Sequence, residues 1–371
     1  MHNGKKNIPF FNYPSLFNDH REELLDIFSE VSSRGAFIMQ NELIEFETNI
    51  AQYTKSKHAI GVGNATDALQ MLMMAGGVGP GDEVLFCSHT MVATASSIHF
   101  TGAKPIPIET ANDHLIDIES IEKSINSRTK AICPTQLNGR IANMEEILSI
   151  ANKHSLQVYE DAAQALGAKF DDRFAGTFDM GGCISFYPAK ILGCYGDGGA
   201  ILCNDDSVAE KLRLMRDHGR DENGDIPVWG FNSRLDNLQA AILNYFFADY
   251  EATISRRREI AELYNTGLKD IDQLHLPEPP SENRRNFDIF QNYEIQARDR
   301  DKLKSFLSKN GVGTLIQWGG TPVHQFKKLG FNMDLPKTDM LFESLIMLPL
   351  NLSISDSDVE YICSLIKKFY S

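Results

Sequence analysis

A lysine near the middle of the chain has the surroundings of a reactive amine. Lys190 follows the apolar stretch 183–186 and a proline, and it precedes a loop with four glycines between residues 193 and 199. Burial beside a strand lowers the pKa of an amine, and a neutral amine can form a Schiff base with an aldehyde. A solvated surface lysine is the ordinary alternative for any single residue of this type.

A carboxylate and an amide follow another apolar segment. In Val158-Tyr-Glu-Asp-Ala-Ala-Gln164, Asp161 comes at the end of an expected strand and Gln164 stands three residues later. In open α/β sheets, ligands bind beyond the carboxyl ends of the strands, so Asp161 is placed to meet one. The alternative for Asp161 is a helix cap, which an aspartate can provide in any protein.

Two further segments could bind an anion. In 61–69 (GVGNATDAL) a strand ends in a glycine turn and a helix begins at Ala65 and Thr66, whose N–H groups could hold a phosphate. The segment lacks both GxxxxGK[ST] and GxGxxG, and taken alone it is better explained by turn and cap geometry. In 230–242, Asn232 and Arg234 could be caps or anion contacts, and spacing leaves this open.

The elements that position these residues alternate in the manner of a layered α/β protein. We predict strands at 58–62, 83–87, 104–108, 131–133, 157–160, 183–186 and 199–203. We predict helices at 66–74 and 145–154, and a helical stretch of some forty residues that starts at residue 232. The sheet should be mixed but mostly parallel and flanked by helices.

The last third of the chain predicts a smaller α+β unit. After a linker at 276–285, we expect a strand at 291–296, a helix at 301–309, a strand near 314–317 and a final helix at 355–369. Since single cores stop growing near ~250 to 300 residues, 371 residues suggest two domains. We place the large domain at 1–250 and the small one at 251–371.

Composition narrows the range of partners. With 36 Lys and Arg against 50 Asp and Glu, the net charge of -14 argues against a nucleic-acid binder. The six cysteines are scattered, which favours free buried thiols in a reducing compartment. No run approaches the ~20 apolar residues of a membrane span, and prolines interrupt the N-terminal apolar stretch. We therefore expect a cytoplasmic protein with no membrane partner.

Taken together, the motifs resemble one family over nearly the whole chain, the DegT/StrS sugar aminotransferases, which have the fold of aspartate aminotransferase. The similarity is carried by GVGNATDAL, EDAAQALGA, GGCISFYPAKILGCYGDGGA, NSRLDNLQAAIL and LPLNLSISDSDVEYI. It implies a pyridoxal 5'-phosphate (PLP) enzyme of fold type I, with pyridoxamine phosphate (PMP) as the alternate form of its cofactor.

The resemblance also implies a role for each motif residue. Lys190 would form the Schiff base with PLP and then act as proton base and acid, while Asp161 would pair with the pyridinium nitrogen. Gln164 would contact the ring hydroxyl. The phosphate would be held by Ala65, Thr66, Ser185 and, from a second subunit, Asn232. That last contact implies a homodimer with a shared active site.

Some positions depart from the family pattern or are weakly marked. Met91 stands where the family has an aromatic residue stacked on the cofactor, so it could stack through its thioether or be plain core. His89 could substitute for that contact or be structural. Candidate substrate contacts are Tyr187, Arg234 and His324, and for His324 a solvated loop position is an equal alternative.

The implied reaction moves an amino group from glutamate to a 3- or 4-keto sugar carried by a nucleotide, as in amino-sugar and surface polysaccharide biosynthesis. Related sugar dehydratases carry histidine in place of the Schiff-base lysine, so Lys190 disfavours that activity. An aromatizing enzyme on the same scaffold is disfavoured by the overall resemblance alone. A noncatalytic regulator on this fold would have no need of PLP, and the intact set of motif residues argues against it.

Overall fold

Helices and strands alternate along most of this computed structural model, which describes residues 6–280 and 285–371. The first helices are α1 (Tyr13–Asn18), α2 (Arg21–Ser33), α3 (Asn41–Thr54), α4 (Ala65–Ala75), α5 (Val92–His99), α6 (Ile118–Ser124), α7 (Met144–His154) and α8 (Asp206–Arg216). The strands among them are β1 (His58–Val62), β2 (Glu83–Cys87), β3 (Lys104–Ile108), β4 (Thr129–Cys133), β5 (Gln157–Val158), β6 (Glu160–Asp161), β7 (Lys169–Phe170), β8 (Arg173–Phe174), β9 (Gly182–Ser185) and β10 (Gly199–Cys203).

The later elements are α9 (Asn237–Phe247), α10 (Tyr250–Leu268), β11 (Leu274–His275), β12 (Asn286–Phe287), β13 (Tyr293–Ala297), α11 (Arg300–Lys309), α12 (Pro336–Ser344), β14 (Leu345–Leu348) and α13 (Asp356–Tyr370). None of the helices in the described ranges is long and apolar enough to cross a membrane.

The central sheet consists of two four-stranded groups joined by one segment. The first group, in the order β3-β2-β4-β5, is parallel throughout. In the second, ordered β1-β10-β9-β6, β10 runs antiparallel to both neighbours and β6 runs parallel to β9. Residues 157–161 pair with β4 through β5 and with β9 through β6. The prediction of a mixed, mostly parallel sheet is confirmed.

Alternation within the strands explains why helices cover both faces of the sheet. In β2, Val84 and Phe86 belong to one apolar cluster with α4, while Leu85 and Cys87 belong to another with α3 and α7. All five residues of β2 are buried, as expected for a parallel strand with helices on both sides. The sheet is therefore held rigidly, and the carboxyl ends of its parallel strands meet at one edge.

A second apolar core lies in the last third of the chain. There β11, β13 and β14 form an antiparallel sheet, and α10 packs against α13. Ile260, Tyr264, Tyr293 and Leu303 are fully buried in this core. The predicted division between two domains after residue 250 coincides with the start of α10 at Tyr250. The packing of α10 in this core supports that division, which stays a prediction.

Two predictions about the chain after residue 230 were wrong. Residues 314–317 do not form a strand, because Leu315 makes only an isolated bridge to Met347 and Gln317–Gly320 is a 3-10 turn. The missing strand is β14, a short apolar run that spacing alone does not distinguish from a helix. The long helical stretch begins at Asn237, not at 232, and it breaks between α9 and α10. The linker prediction falls partly on 281–284, outside the described residues.

Candidate active site

The Lys190 amine lies in a short turn after β9. Its backbone N–H donates to the Tyr187 carbonyl at 2.8 Å, and the side chain is half-buried. Burial lowers the pKa of Lys190 to about 8, although the negative charge of Asp161 acts to raise it. The predicted direction of this shift is confirmed. A sizeable neutral fraction is therefore present near neutral pH.

The Asp161 carboxylate is buried at the carboxyl end of β6. Oδ2 accepts a hydrogen bond of 2.6 Å from the Thr94 hydroxyl, and Oδ1 accepts one of 3.2 Å from the Ala163 N–H. The Cys183 thiol lies 3.6 Å from Oδ1. The helix-cap interpretation of Asp161 was wrong, because the next element after β6 is the strand β7; the contact to Ala163 closes a turn and occupies one oxygen only. The carboxylate is held in one orientation and is close enough to Lys190 to affect its pKa.

Gln291, which lies between β12 and β13, fixes the main chain on both sides of Lys190. Its Nε2 donates to the Ala189 carbonyl at 2.9 Å, and its Oε1 accepts from the Ile191 N–H at 3.0 Å. The Arg257 guanidinium in turn donates to the carbonyl of Gln291 at 2.7 Å. Sequence reasoning missed Gln291 and Arg257. No local pattern marks them, because their partners lie far away along the chain.

The start of α4 is arranged to receive an anion. Asn64 caps the helix, with its Oδ1 accepting from the Asp67 N–H at 2.9 Å. Gly199 lies so close that a Cβ there would come within 2.7 Å of the Ala65 nitrogen. Because Gly199 is the register partner of Ser185, this close approach brings Ser185 beside Ala65 and Thr66. The predicted phosphate-binding residues of this chain are thus brought together.

Gln164 faces the same region from the loop after β6. Its Oε1 accepts from the Asn138 N–H at 2.9 Å and from Asn292 Nδ2 at 3.3 Å. These contacts fix the amide with its oxygen toward protein donors. The amide nitrogen is therefore the end that can donate to a ligand oxygen.

A buried carboxylate, Glu294 of β13, links segments that lie far apart along the chain. Its Oε2 accepts from His114 Nδ1 at 2.8 Å and from Asn138 Nδ2 at 3.0 Å, and its Oε1 accepts from Gln317 Nε2 at 2.9 Å. His89 Nε2 lies 3.7 Å from Oε2. Burial acts to raise the pKa of Glu294, but the two histidines outweigh it and hold that pKa well below its usual value.

Among the described residues, His89, His114 and Glu294 form the group that could hold a metal ion, with ligand atoms within 4.8 Å of one another. The carboxylate already accepts three hydrogen bonds from protein donors. This arrangement favours a structural polar network over a metal site.

Replacing Glu294 with Gln should destabilise the protein strongly. The amide nitrogen of glutamine would face donors that now bind a carboxylate oxygen, and the charge opposite two histidines would be lost. We expect the free energy of unfolding to fall by about 2–4 kcal/mol, measured by urea denaturation. The matched control is Glu360→Gln, an exposed glutamate of α13, which should stay within about 0.5 kcal/mol of the parent. An unchanged urea midpoint for Glu294→Gln would contradict the assigned network.

Met91 and His89 each had two interpretations from the sequence, and their surroundings in the structure bear on both. Met91, at the N-terminal end of α5, is 49% exposed, so it is not a core residue. His89 is fully buried against Trp318 and Phe342, with ring centroids 5.3 and 4.8 Å away. Stacking of Met91 on a cofactor stays a prediction, while the surroundings of His89 favour a structural role.

His324 is neither solvated nor open to a ligand. It is 3% exposed, its Nδ1 lies 2.8 Å from Ser88 Oγ, and its Nε2 lies 3.0 Å from Asp339 Oδ1. The alternative of a solvated loop position is therefore excluded, because the turn after residue 322 folds inward against β2. A contact between His324 and substrate stays a prediction, and it would require one of these hydrogen bonds to open.

The remaining candidates are Tyr187, Arg234 and Asn232. Tyr187 is exposed, and Arg234 is half-buried with its guanidinium 2.7 Å from Asp217 Oδ1. Asn232 forms a backbone bridge with Asp217. It is not brought against Lys190 or Asp161 of its own chain by any described contact. The role assigned to it belongs to a second subunit and stays a prediction.

A largely apolar cavity of about 620 Å³ lies beside the lysine loop. Lys190 lines it together with Tyr13, Tyr195, Phe246 and Leu350, whereas Asp161 and Gln164 do not. The cavity is therefore adjacent to the group of polar residues just described, not coincident with it.

A lysine of lowered pKa, a buried carboxylate at the sheet edge and a helix start suited to phosphate define a PLP-type transferase site. The chain belongs to the DegT/DnrJ/EryC1/StrS aminotransferase family, whose model matches residues 18–367. Enzymes of this family depend on PLP.

Similar proteins and structures extend over the same length. The chain is 37% identical to a pleiotropic regulatory protein of Geobacillus stearothermophilus, covering 98% of this chain and 99% of the relative. It is 36% identical to dTDP-3-amino-3,4,6-trideoxy-alpha-D-glucose transaminase of Streptomyces venezuelae, covering 85% and 83%. The crystal structure of S. venezuelae DesV with a ketimine intermediate matches with a TM-score of 0.93 and 32% identity, covering 98% and 99%.

Proposed function

We propose that this protein is a transaminase that converts a nucleotide-linked 3-keto sugar to the 3-amino sugar, with glutamate as amino donor. The observation that carries the proposal is the half-buried Lys190. Burial lowers its pKa to about 8, although the nearby carboxylate of Asp161 acts to raise it. A structural lysine has no need of this environment, whereas an amine that must be neutral to react does.

The residues present fit PLP. The N–H groups of Ala65 and Thr66 and the hydroxyl of Ser185 would hold its phosphate. Asp161 would hold the ring nitrogen, Gln164 would donate to the ring hydroxyl, and Met91 would lie against the ring face. Bound PLP supplies an aldehyde for amine exchange and a ring that withdraws electrons from a neighbouring C–H bond.

The protein's own contribution is to hold the reacting groups and move one proton. The Lys190 amine would take the proton from the α-carbon of the donor and pass it to the carbon that carries the aldehyde in free PLP, so that the amino nitrogen stays with the cofactor and a keto acid leaves. In the second half of the reaction it returns a proton to the sugar carbon that receives nitrogen. Gln291 and Arg257 keep the backbone of the lysine loop fixed, which keeps the amine near both carbons.

The choice of a 3-keto sugar is supported by the name of the Streptomyces relative, which specifies an amino group at C-3 of a dTDP-linked sugar. The acidic chain needs local cations or N–H donors for a nucleotide diphosphate. Arg234 is a candidate, with Tyr187 as a further substrate contact and His324 as another if one of its hydrogen bonds opens. Glutamate as donor is supported only by the family resemblance.

We propose that the active unit is a homodimer in the cytoplasm. Asn232 would complete the phosphate site of the partner subunit, since it is not brought against Lys190 or Asp161 of its own chain by any described contact. The start of the chain also carries exposed aromatic and aliphatic side chains, which are consistent with a covered surface. Among them are Phe11, Tyr13, Leu16 and Phe28.

A substrate panel tests the sugar assignment. The PMP-loaded enzyme is mixed with dTDP- and UDP-linked 3-keto and 4-keto sugars, and the return of the PLP absorbance is followed. We expect a 3-keto sugar to react at least about tenfold faster than its 4-keto isomer, a difference of about 1.4 kcal/mol in transition-state binding. The nucleotide without sugar is the control. If only 4-keto sugars react, the position of the ketone is wrong while the transaminase assignment stands.

A noncatalytic regulator is the second candidate, because the Geobacillus relative carries a regulatory name. The two functions are distinguished by cofactor exchange. A transaminase loaded with PLP should pass to the PMP form when glutamate is added, whereas a sensor that only binds PLP should keep its spectrum.

A further inference from the structure

Three threonine hydroxyls form a buried chain that ends on Asp161. The Thr135 hydroxyl lies 3.0 Å from Thr90 Oγ1, Thr90 Oγ1 lies 2.7 Å from Thr94 Oγ1, and Thr94 donates to Asp161 Oδ2 at 2.6 Å. Their exposures are 5%, 1% and 0% in that order. Water therefore does not replace these partners, and each hydroxyl depends on the next.

The fold brings these residues together. Thr90 follows β2, Thr135 follows β4, and Asp161 ends β6, so all three lie at the carboxyl ends of neighbouring parallel strands. Thr135 and Asp161 also form a parallel bridge. Thr94 lies one helical turn after Thr90, which places its hydroxyl between Thr90 and the carboxylate.

The direction of the hydrogen bonds follows from chemistry. An ionised carboxylate only accepts, so the Thr94 hydroxyl must give its proton to Asp161. The proton between Thr90 and Thr94 then has to come from Thr90, whose oxygen is left to accept from Thr135. All three O–H bonds therefore point toward Asp161, and hydrogen bonds aligned in this way strengthen one another.

We propose that Thr94, Thr90 and Thr135 are positioning residues that hold the Asp161 carboxylate aimed at the ring nitrogen of the cofactor. This inference rests on the proposed role of Asp161. A donor to a carboxylate stabilises its charged form, and without it the proton shared with the ring nitrogen shifts toward the carboxylate. The ring then carries less positive charge and withdraws electrons less strongly.

The test compares the affinities of the apoprotein for PLP and for 1-deaza-PLP, which lacks the ring nitrogen. In the parent, PLP should bind more tightly than the deaza analogue. In Thr94→Val this ratio should fall about tenfold, because a hydrogen bond to a charged group is lost. The ring-nitrogen resonance of ¹⁵N-labelled PLP should also move toward the unprotonated position. Thr94→Ser, which keeps the hydroxyl, should restore both readouts.

Thr54→Val is the matched control. Thr54 is a buried threonine whose hydroxyl donates to the Ile50 carbonyl at 2.7 Å, and its removal should leave the ratio unchanged. If Thr94→Val does not fold, Thr135→Val at the far end of the chain should change the ratio in the same direction by a smaller factor. A parent that binds both compounds equally would overturn the role of Asp161 itself. A parent that discriminates, with Thr94→Val and Thr135→Val discriminating equally well, would overturn only the positioning role.

Discussion

Replacing Lys190 with Ala should lower transamination by at least about 10³-fold, because the group that is proposed to move the proton is removed. The side chain is half-buried in a turn, so a smaller residue leaves little strain and the protein should remain folded. The measurement is single-turnover conversion of the cofactor with glutamate, followed by absorbance. Borohydride reduction of the holoprotein should label Lys190 in the parent and leave the variant unlabelled.

Lys211→Ala is the matched control, because Lys211 is half-buried and its amine lies 3.4 Å from the Ala75 carbonyl, away from the proposed site. Its activity should stay within about twofold of the parent, as for an ordinary surface change. A Lys190→Ala protein that transaminates at the parent rate would rule out the proposed role of this amine.

The same variant tests whether two subunits share a site. Neither Lys190→Ala nor Asn232→Ala should be active as a homodimer. A mixed dimer has one site that contains both substitutions and one site that contains neither. Activity that appears when the two inactive proteins are mixed and refolded would support a shared site. Continued inactivity, with mixed dimers present, would contradict it.

Much of the fold could be predicted from the sequence, because its signals are local. Strands such as β2 and β10 are short apolar runs between turn residues, and α7 shows buried residues at helical spacing behind its cap, Asn143. The failures have a physical cause too. The strand β14 and the turn at 317–320 are decided by tertiary contacts with β13 and with Met347, which leave no periodic pattern in the chain.

The residues of the candidate site also fall into two groups: those that local sequence patterns indicate and those that only tertiary contacts bring together. Lys190 and Asp161 could be singled out because each follows or ends a strand whose position the pattern fixes, whereas Ser185 was indicated only by the family resemblance. Gln291, Glu294 and the threonine chain could not be found by spacing, since their partners are brought together by strand order and by contacts between segments far apart along the chain. The hydrogen-bond partner of a buried polar residue can be identified only after the fold is known.

Asp161→Asn should separate binding from chemistry. The amide keeps the shape of the side chain and can still accept one hydrogen bond from Ala163 or Thr94, so folding should survive. It carries no charge to stabilise a protonated ring nitrogen, so transamination should fall by about 10²–10³-fold, as when one preorganised electrostatic contact is removed. The measurement is again single-turnover conversion with glutamate, combined with titration of PLP into the apoprotein.

Glu160 provides the matched control because it is the preceding residue and is also buried. Burial raises the pKa of Glu160 to about 7, and its oxygens accept from the Phe178 N–H at 2.8 Å and from Gln136 Nε2 at 2.6 Å. These contacts are structural, so Glu160→Gln should reduce stability and leave the single-turnover rate within about threefold. If the two substitutions lower the rate equally, the loss in Asp161→Asn is not specific to the charge at position 161, and the proposed role of Asp161 is contradicted.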